Sequence, residues 1–196
     1  MSAVRVRLTP LWNTTMKIID NFLPDKVFED FYKRMTGTNF PWFLCNVLEY
    51  DEGQNSKGID EKTLCNPLDN YQFSYLFYSL LHGESNQPHK GMQFDAIYPF
   101  IEILEVKRLI QVKANLTVRT NNIIEHGYHT DHPYRDAKTA VFYINDNDGY
   151  TKFETGAYVE SVANRLVVFD SQIKHTGTTC TNQFGRFVVN FNFANK

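Results

Sequence analysis

The chain has 196 residues, of which 42% are hydrophobic, 15% aromatic and 21% charged, enough apolar material for one globular domain with a sizeable core. A formal charge of −2 leaves no basic footprint, so nucleic acid is not an expected partner. Cys45, Cys65 and Cys180 are odd in number and lack CxxC spacing, and no apolar run suits a signal peptide or reaches the ~18 residues of a membrane span. The expectation is a reduced, soluble, cytoplasmic protein with no membrane partner.

Residues 1–15 read as polar and irregular, and 16–23 as a short strand leading into a turn. Pro24-Asp25 opens a helix through about Met35, because Pro suits a first helical turn and Val27, Phe28, Phe31 and Met35 recur at helical spacing. A strand is expected at 42–50. The polar stretch 51–69, with Gly53, Gly58 and Pro67, is a long loop that reads equally as a lid or as a connector. Alternation of Phe73, Tyr75 and Phe77 predicts a strand over 71–81, and 82–91 is a loop that places His82 and His89 at the surface. Apolar residues at 94, 97, 100, 101 and 104 give a second helix over 92–104 that starts or bends near Pro99.

Over 110–120, Ala114, Leu116 and Val118 share one face and Asn115, Thr117 and Arg119 the other. This predicts a strand packed on one side, its polar face turned to solvent by default or lining a pocket. Short strands follow at 138–144, 151–155, 157–162, 166–169 and 184–193, with turns at 145–149 (Asn-Asp-Asn-Asp-Gly) and at Ala163-Asn164. Many short strands with frequent turns predict a sandwich or barrel rather than a parallel sheet. The whole chain, 1–196, is expected as a single domain, with helical support over roughly 16–109 and a β core over roughly 110–196.

The chemistry concentrates in 126–132, His-Gly-Tyr-His-Thr-Asp-His. If this segment is extended, His129 and Asp131 point into one space. Of the six histidines, His175 is best placed to add a third ligand, because it follows an apolar strand at 165–170 and precedes Thr176-Gly177. Two imidazoles and a carboxylate leave one side of a metal open, the ligand set of non-haem Fe(II) oxygenases. His126 and His132 fall on the opposite face of such a strand, at a channel edge or behind the ligands; His132 in place of His129 is the alternative assignment.

His129-x-Asp131, His175, and Arg186 eleven residues later on an alternating strand resemble the HxD…H…R/K pattern of the 2-oxoglutarate and Fe(II)-dependent dioxygenases. Two flanking segments are similar to the prolyl-4-hydroxylase-like branch. Gly149-Tyr-Thr151-Lys-Phe153 matches its Gly-Gly-x-Thr-x-Phe hairpin with Asp148 in place of the first glycine, and the segment 163–169 matches its Gly-x-x-x-x-Phe strand with Asn164 near the glycine. The terminal basic residue is Arg186, where prolyl hydroxylases commonly carry Lys.

The resemblance implies a mostly β, α+β chain with N-terminal helices on a double-stranded β-helix, the cupin-like jelly roll. It implies Fe(II) held by His129, Asp131 and His175, with 2-oxoglutarate as cosubstrate and O2 as oxidant. Arg186 would clamp the far carboxylate of the cosubstrate, and Thr151 would donate to the same group. The implied reaction is hydroxylation with release of succinate and CO2; related halogenases carry a small residue where Asp131 sits. The substrate, a small molecule or a peptide, is left open, a prolyl or other peptide side chain being one candidate. Tyr128, Tyr134 and Arg119 are expected to contact it, with specificity residing in 51–69, 82–91 and around Tyr134-Arg135. Two other readings compete: catalytic zinc in a hydrolase or isomerase, and a jelly-roll binding module without catalysis. The oligomeric state is left open.

Overall fold

Alternation within single strands decides the architecture. In Lys138–Tyr143, Ala140 and Phe142 point to one side and Val141 and Tyr143 to the other, and all four are buried. Such a strand needs apolar cover on both faces, and two separate core clusters supply it.

The computed structural model describes residues 4–11, 14–46, 71–80, 87–131, 134 and 136–195. The strands are β1 Arg5–Leu11, β2 Thr14–Asp20, β3 Phe43–Asn46, β4 Tyr71–Ser79, β5 His89–Lys90, β6 Arg108–Val118, β7 Lys138–Tyr143, β8 Tyr150–Phe153, β9 Tyr158–Glu160, β10 Arg165–Asp170, β11 His175–Gly177 and β12 Gly185–Ala194. Helix α1, Asp25–Thr36, follows β2; a 3-10 turn, Phe94–Ile97, runs directly into helix α2, Tyr98–Ile103, with Pro99 in its first turn. The larger sheet has the order β1-β2-β10-β7-β12-β6-β4-β3 with β5 on β4, and the smaller the order β11-β8-β9. All of these pairings are antiparallel, as the sandwich expectation requires.

Phe31 and Met35 of α1 and Phe100 of α2 pack on the outer face of the larger sheet, where Phe100 lies 4.8 Å from both Phe142 and Phe191, ring centre to ring centre. Full burial of each such ring contributes about 1.5–3 kcal/mol. On the inner face, Val141, Tyr143, Val167, Phe169 and Val188 meet Phe153 and Val159 of the smaller sheet. The sandwich is therefore dry at its centre, and polar side chains on the same inner face gather beside that apolar layer.

Several expectations need correction. The irregular chain expected at 1–15 contains β1, hairpinned to β2 with Arg5 opposite Asp20 and Leu11 opposite Thr14. Residues 4–8 are exposed on both faces, so this part of the edge strand is held by its ladder rather than by burial. The expected helical support is not a separate layer: besides α1 and α2 the N-terminal half supplies five strands, all built into the larger sheet. His89 is half-buried on β5 rather than on a surface loop. The described part of the segment 126–132, residues 126–131, is not a regular strand; it is held by the isolated bridge of His129 with His175, just after that of Glu125 with Thr178, and by single hydrogen bonds to Gly177 and Ser171. The loop at 51–69, the end of the strand expected at 42–50, and His82, His132 and Arg135 lie outside the described residues. Among the described residues no helix is long and apolar enough to cross a membrane.

Candidate functional site

Three backbone hydrogen bonds assemble the HxD segment against the chain leading into β11. His129 and His175 exchange N–H···O bonds of 3.0 Å in both directions, and the Asp131 N–H donates to the Ser171 carbonyl at 3.2 Å. This ties residues 40 and 46 positions apart in sequence into one frame and brings three side chains together. His129 Nε2 lies 3.4 Å and His175 Nε2 3.5 Å from Asp131 Oδ1, and the three donor atoms all fall within 4.8 Å of one another. His175 is buried, whereas 42% of the His129 side chain is exposed, so the cluster has a closed side and an open one.

The atoms facing away from this cluster are already engaged. His175 Nδ1 is 2.9 Å from the Ile173 carbonyl and His129 Nδ1 3.3 Å from the Gly127 carbonyl, contacts in which a ring N–H donates to oxygen. Where a metal displaces the Nε2 proton that Asp131 otherwise accepts, that tautomer leaves each Nε2 as a lone pair aimed at the centre. Thr139 Oγ1 of β7 donates to Asp131 Oδ2 at 2.8 Å, which leaves Oδ1 for the centre. Burial alone would push the Asp131 carboxyl up, but the charges and hydrogen bonds of His175 and His129 hold it well below the usual carboxylate range. Burial pushes the His129 imidazole down, yet the hydrogen bond and charge of Asp131 outweigh it and leave it raised. Two neutral-capable imidazoles and an ionised carboxylate, each oriented from behind, are a donor set that fits a divalent first-row metal.

A cavity of about 90 Å³ opens beside these imidazoles, lined by His126, His129, His175, Thr151 and Arg186 together with Gln72, Asn115, Thr117 and Asn190. At roughly 10–15 Å³ per water, it has room for several waters or for a small organic acid. Arg186 enters it from β12, directly opposite Thr117 on β6, and is 4% exposed. Its Nε donates to Ser161 Oγ at 2.8 Å and its Nη2 to Thr151 Oγ1 at 3.0 Å, so the guanidinium bridges the larger sheet to the smaller one. It also stands 5.5 Å above the ring of Tyr143. No carboxylate pairs with it among the described residues, and burial pulls its pKa below the ordinary arginine value.

Thr151 is the hinge of this network. Its oxygen accepts from Arg186 and, at 2.8 Å, from the Tyr143 hydroxyl, whose own proton burial helps to retain. Both lone pairs are then used, and the Thr151 hydroxyl proton is left to donate into the cavity. Gly149 makes the arrangement sterically feasible: a Cβ there would come within 2.8 Å of Arg186 Cδ and 2.6 Å of the Thr179 carbonyl. Asp148 ties the hairpin to the loop before β12, accepting from the Thr181 N–H at 2.7 Å and from the Thr181 hydroxyl. Asn164 takes the positive φ of +61° that a glycine would, and its side chain bonds both the N–H and the carbonyl of Leu23 at 2.8 Å.

The structure thus gathers His129, Asp131, His175, Thr151 and Arg186 about one cavity and leaves three other candidates outside it. Tyr128, Tyr134 and Arg119 are exposed and do not line it; Tyr134 lies 5.9 Å beneath Arg108. His126, expected on the face opposite His129, is instead buried in the cavity wall, because the irregular backbone breaks the period-two alternation. Asn115 and Thr117 line the cavity too, which corrects the solvent-facing default for that strand face. Tyr143, Ser161 and Thr139 were not legible as site residues. Thr139 and Tyr143 share the inner face of β7 with Val141, a pattern that places them once the covered face is known; Ser161 carries no such signal.

No protein-family model matches this sequence, and no curated protein does. Among solved structures, the chain is similar to a prolyl hydroxylase from Trichoplax adhaerens in complex with a hypoxia inducible factor oxygen degradation domain peptide fragment. The TM-score is 0.54 at 13% identity, over 91% of this chain and 83% of that one. It is also similar to a Pseudomonas putida prolyl-4-hydroxylase, with TM-score 0.48, 15% identity and 92% of each chain covered. A Burkholderia pseudomallei oxidoreductase of the 2OG-Fe(II) oxygenase family gives TM-score 0.46 and 11% identity over 64% of this chain and 69% of that one. The first of these likenesses establishes a shared fold, and at 13% identity the fold alone.

Proposed function

We propose that the protein is an Fe(II)- and 2-oxoglutarate-dependent dioxygenase that hydroxylates a small-molecule or peptide substrate, and that the single domain carries the whole site. The observation that supports this most is Arg186, a buried cation without an acidic partner among the described residues, opening onto the same cavity as the imidazoles of His129 and His175. A buried guanidinium fits an anionic ligand, and its planar fork suits a carboxylate. A zinc hydrolase, or a binding module without a metal, has no need of such a group.

In this reading His129 Nε2, His175 Nε2 and Asp131 Oδ1 hold iron, and Thr139 and the carbonyls of Gly127 and Ile173 keep those three atoms aimed. Bound iron supplies the activation of O2, coupled to oxidative decarboxylation of 2-oxoglutarate to succinate and CO2. Arg186 neutralises the far carboxylate of the cosubstrate and Thr151 donates its free hydroxyl proton to it, while the apolar layer between the sheets keeps bulk water from that end. The exposed side of His129 is where a substrate enters. A prolyl or other peptide side chain is the substrate we favour testing first, since the Trichoplax protein of the same fold was solved with a peptide.

The test is succinate release by purified protein supplied with Fe(II), 2-oxoglutarate and air. Slow succinate formation without substrate, absent in His175→Ala, is expected. No succinate from the wild type under any metal loading contradicts the proposal.

A further inference from the structure

Among the described cavity residues Asn115 Oδ1, Asn190 Oδ1 and both ring nitrogens of His126 are buried without a hydrogen-bond partner, and only in His126 does this hold for both polar atoms of the side chain. His126 is 5% exposed, and neither Nδ1 nor Nε2 has a hydrogen-bond partner among the described residues. Its main chain is fixed on both sides: the N–H donates to the Gly177 carbonyl at 3.1 Å, and the Thr176 hydroxyl donates to its own carbonyl at 2.8 Å. The ring is therefore held in place by its backbone rather than by any bond of its own. It also stands outside the group of donor atoms within 4.8 Å of one another, so it is not a fourth member of the metal cluster.

An imidazole buried without partners opposes folding unless something else repays it. Burial foremost, then the positive charge of Arg186 and the neighbouring His129, pushes its pKa down to about 4, so at neutral pH it is an uncharged ring carrying one N–H donor and one acceptor nitrogen. Arg186, His129 and His175 line the same cavity as His126.

Resting on the function proposed above, we infer that His126 is a binding residue for the organic acid in the cavity, donating its imidazole N–H to an acid oxygen. Arg186 and Thr151 hold one end of such a ligand and His126 contacts it along its length, so the same residue that leaves the ligand-free fold unsatisfied becomes satisfied on binding. The inference separates His126 from a packing residue by sign. A packing histidine stabilises the empty protein; a ligand-binding one destabilises it.

The experiment compares wild type, His126→Phe and His126→Gln, each loaded with Fe(II) without oxygen, by calorimetric titration with 2-oxoglutarate and by thermal melting of the ligand-free protein. Expected are a 10- to 100-fold loss of affinity in His126→Phe, about the worth of one hydrogen bond to a charged group, with an intermediate value in His126→Gln and a ligand-free melting temperature no lower than wild type. Wild-type binding with His126→Phe within threefold of it overturns the inference and leaves the proposed function standing. A ligand-free melting temperature several degrees lower in both variants also overturns it, marking His126 as structural. A wild type that binds iron but no 2-oxoglutarate ends both together.

Discussion

Replacing Arg186 by Ala removes the only buried cation among the described residues that line the cavity and is expected to weaken 2-oxoglutarate binding without touching the metal. The guanidinium is 4% exposed, so a carboxylate paired with it is buried as well, and truncating one partner of a buried charge pair costs about 2–5 kcal/mol. At 1.4 kcal/mol per decade, that is roughly a 30- to 4,000-fold rise in Kd. The upper half of this range is favoured by the geometry. Arg186 also fills one of the two lone pairs of Thr151, at 3.0 Å, so its loss loosens the second donor to the same carboxylate. Arg186→Lys keeps the charge but loses the fork and the 2.8 Å bond from Nε to Ser161, and should fall between the two. The assay is calorimetric titration of Fe(II)-loaded protein with 2-oxoglutarate under argon, with Fe(II) affinity measured in parallel. A Kd in Arg186→Ala within threefold of the wild type refutes the reasoning.

Thr139→Val deletes the 2.8 Å bond to Asp131 Oδ2 at nearly constant volume and should lower Fe(II) affinity about 10- to 100-fold, read by competition with a chelator; an unchanged affinity shows that the hydroxyl does not orient the carboxylate. Phe142→Ala, which empties the centre of the aromatic cluster with Phe31 and Phe100, should cost about 3–5 kcal/mol in urea unfolding while the folded fraction keeps its metal affinity. His126 makes stability depend on pH: between its folded value of about 4 and its ordinary 6.5, the unfolded chain takes up a proton that the folded one refuses. Stability relative to His126→Gln should therefore fall by up to about 1.4 kcal/mol per unit as pH drops through that window and stay level above it, measured by urea unfolding of metal-free protein. A difference independent of pH contradicts the burial of a neutral ring.

What could be read from the sequence follows from how local each signal is. The cluster of His129, Asp131 and His175 could be anticipated from residue type and spacing, and the helix at 25–36 from its stripe of Phe31 and Met35. For His126 the sequence suggested a channel edge but the wrong face, because the backbone at 126–131 abandons strand alternation and meets β11 through the single bridge of His129 with His175. Ser161 and Tyr143 were not legible as site residues, because they meet Arg186 only where the two sheets stack at that register. β1 carried a signal that an irregular reading passes over: Val4, Val6 and Leu8 alternate with Arg5 and Arg7, although all five side chains are exposed on this edge strand.

The account stands most directly on whether iron and 2-oxoglutarate share this cavity. Anaerobic addition of 2-oxoglutarate to the Fe(II)-loaded protein should produce a metal-to-ligand charge-transfer band that saturates at one equivalent in the wild type, needs far more 2-oxoglutarate in Arg186→Ala, and is absent in His175→Ala. A wild-type protein that binds one Fe(II) yet shows no such band at any 2-oxoglutarate concentration would contradict the central claim.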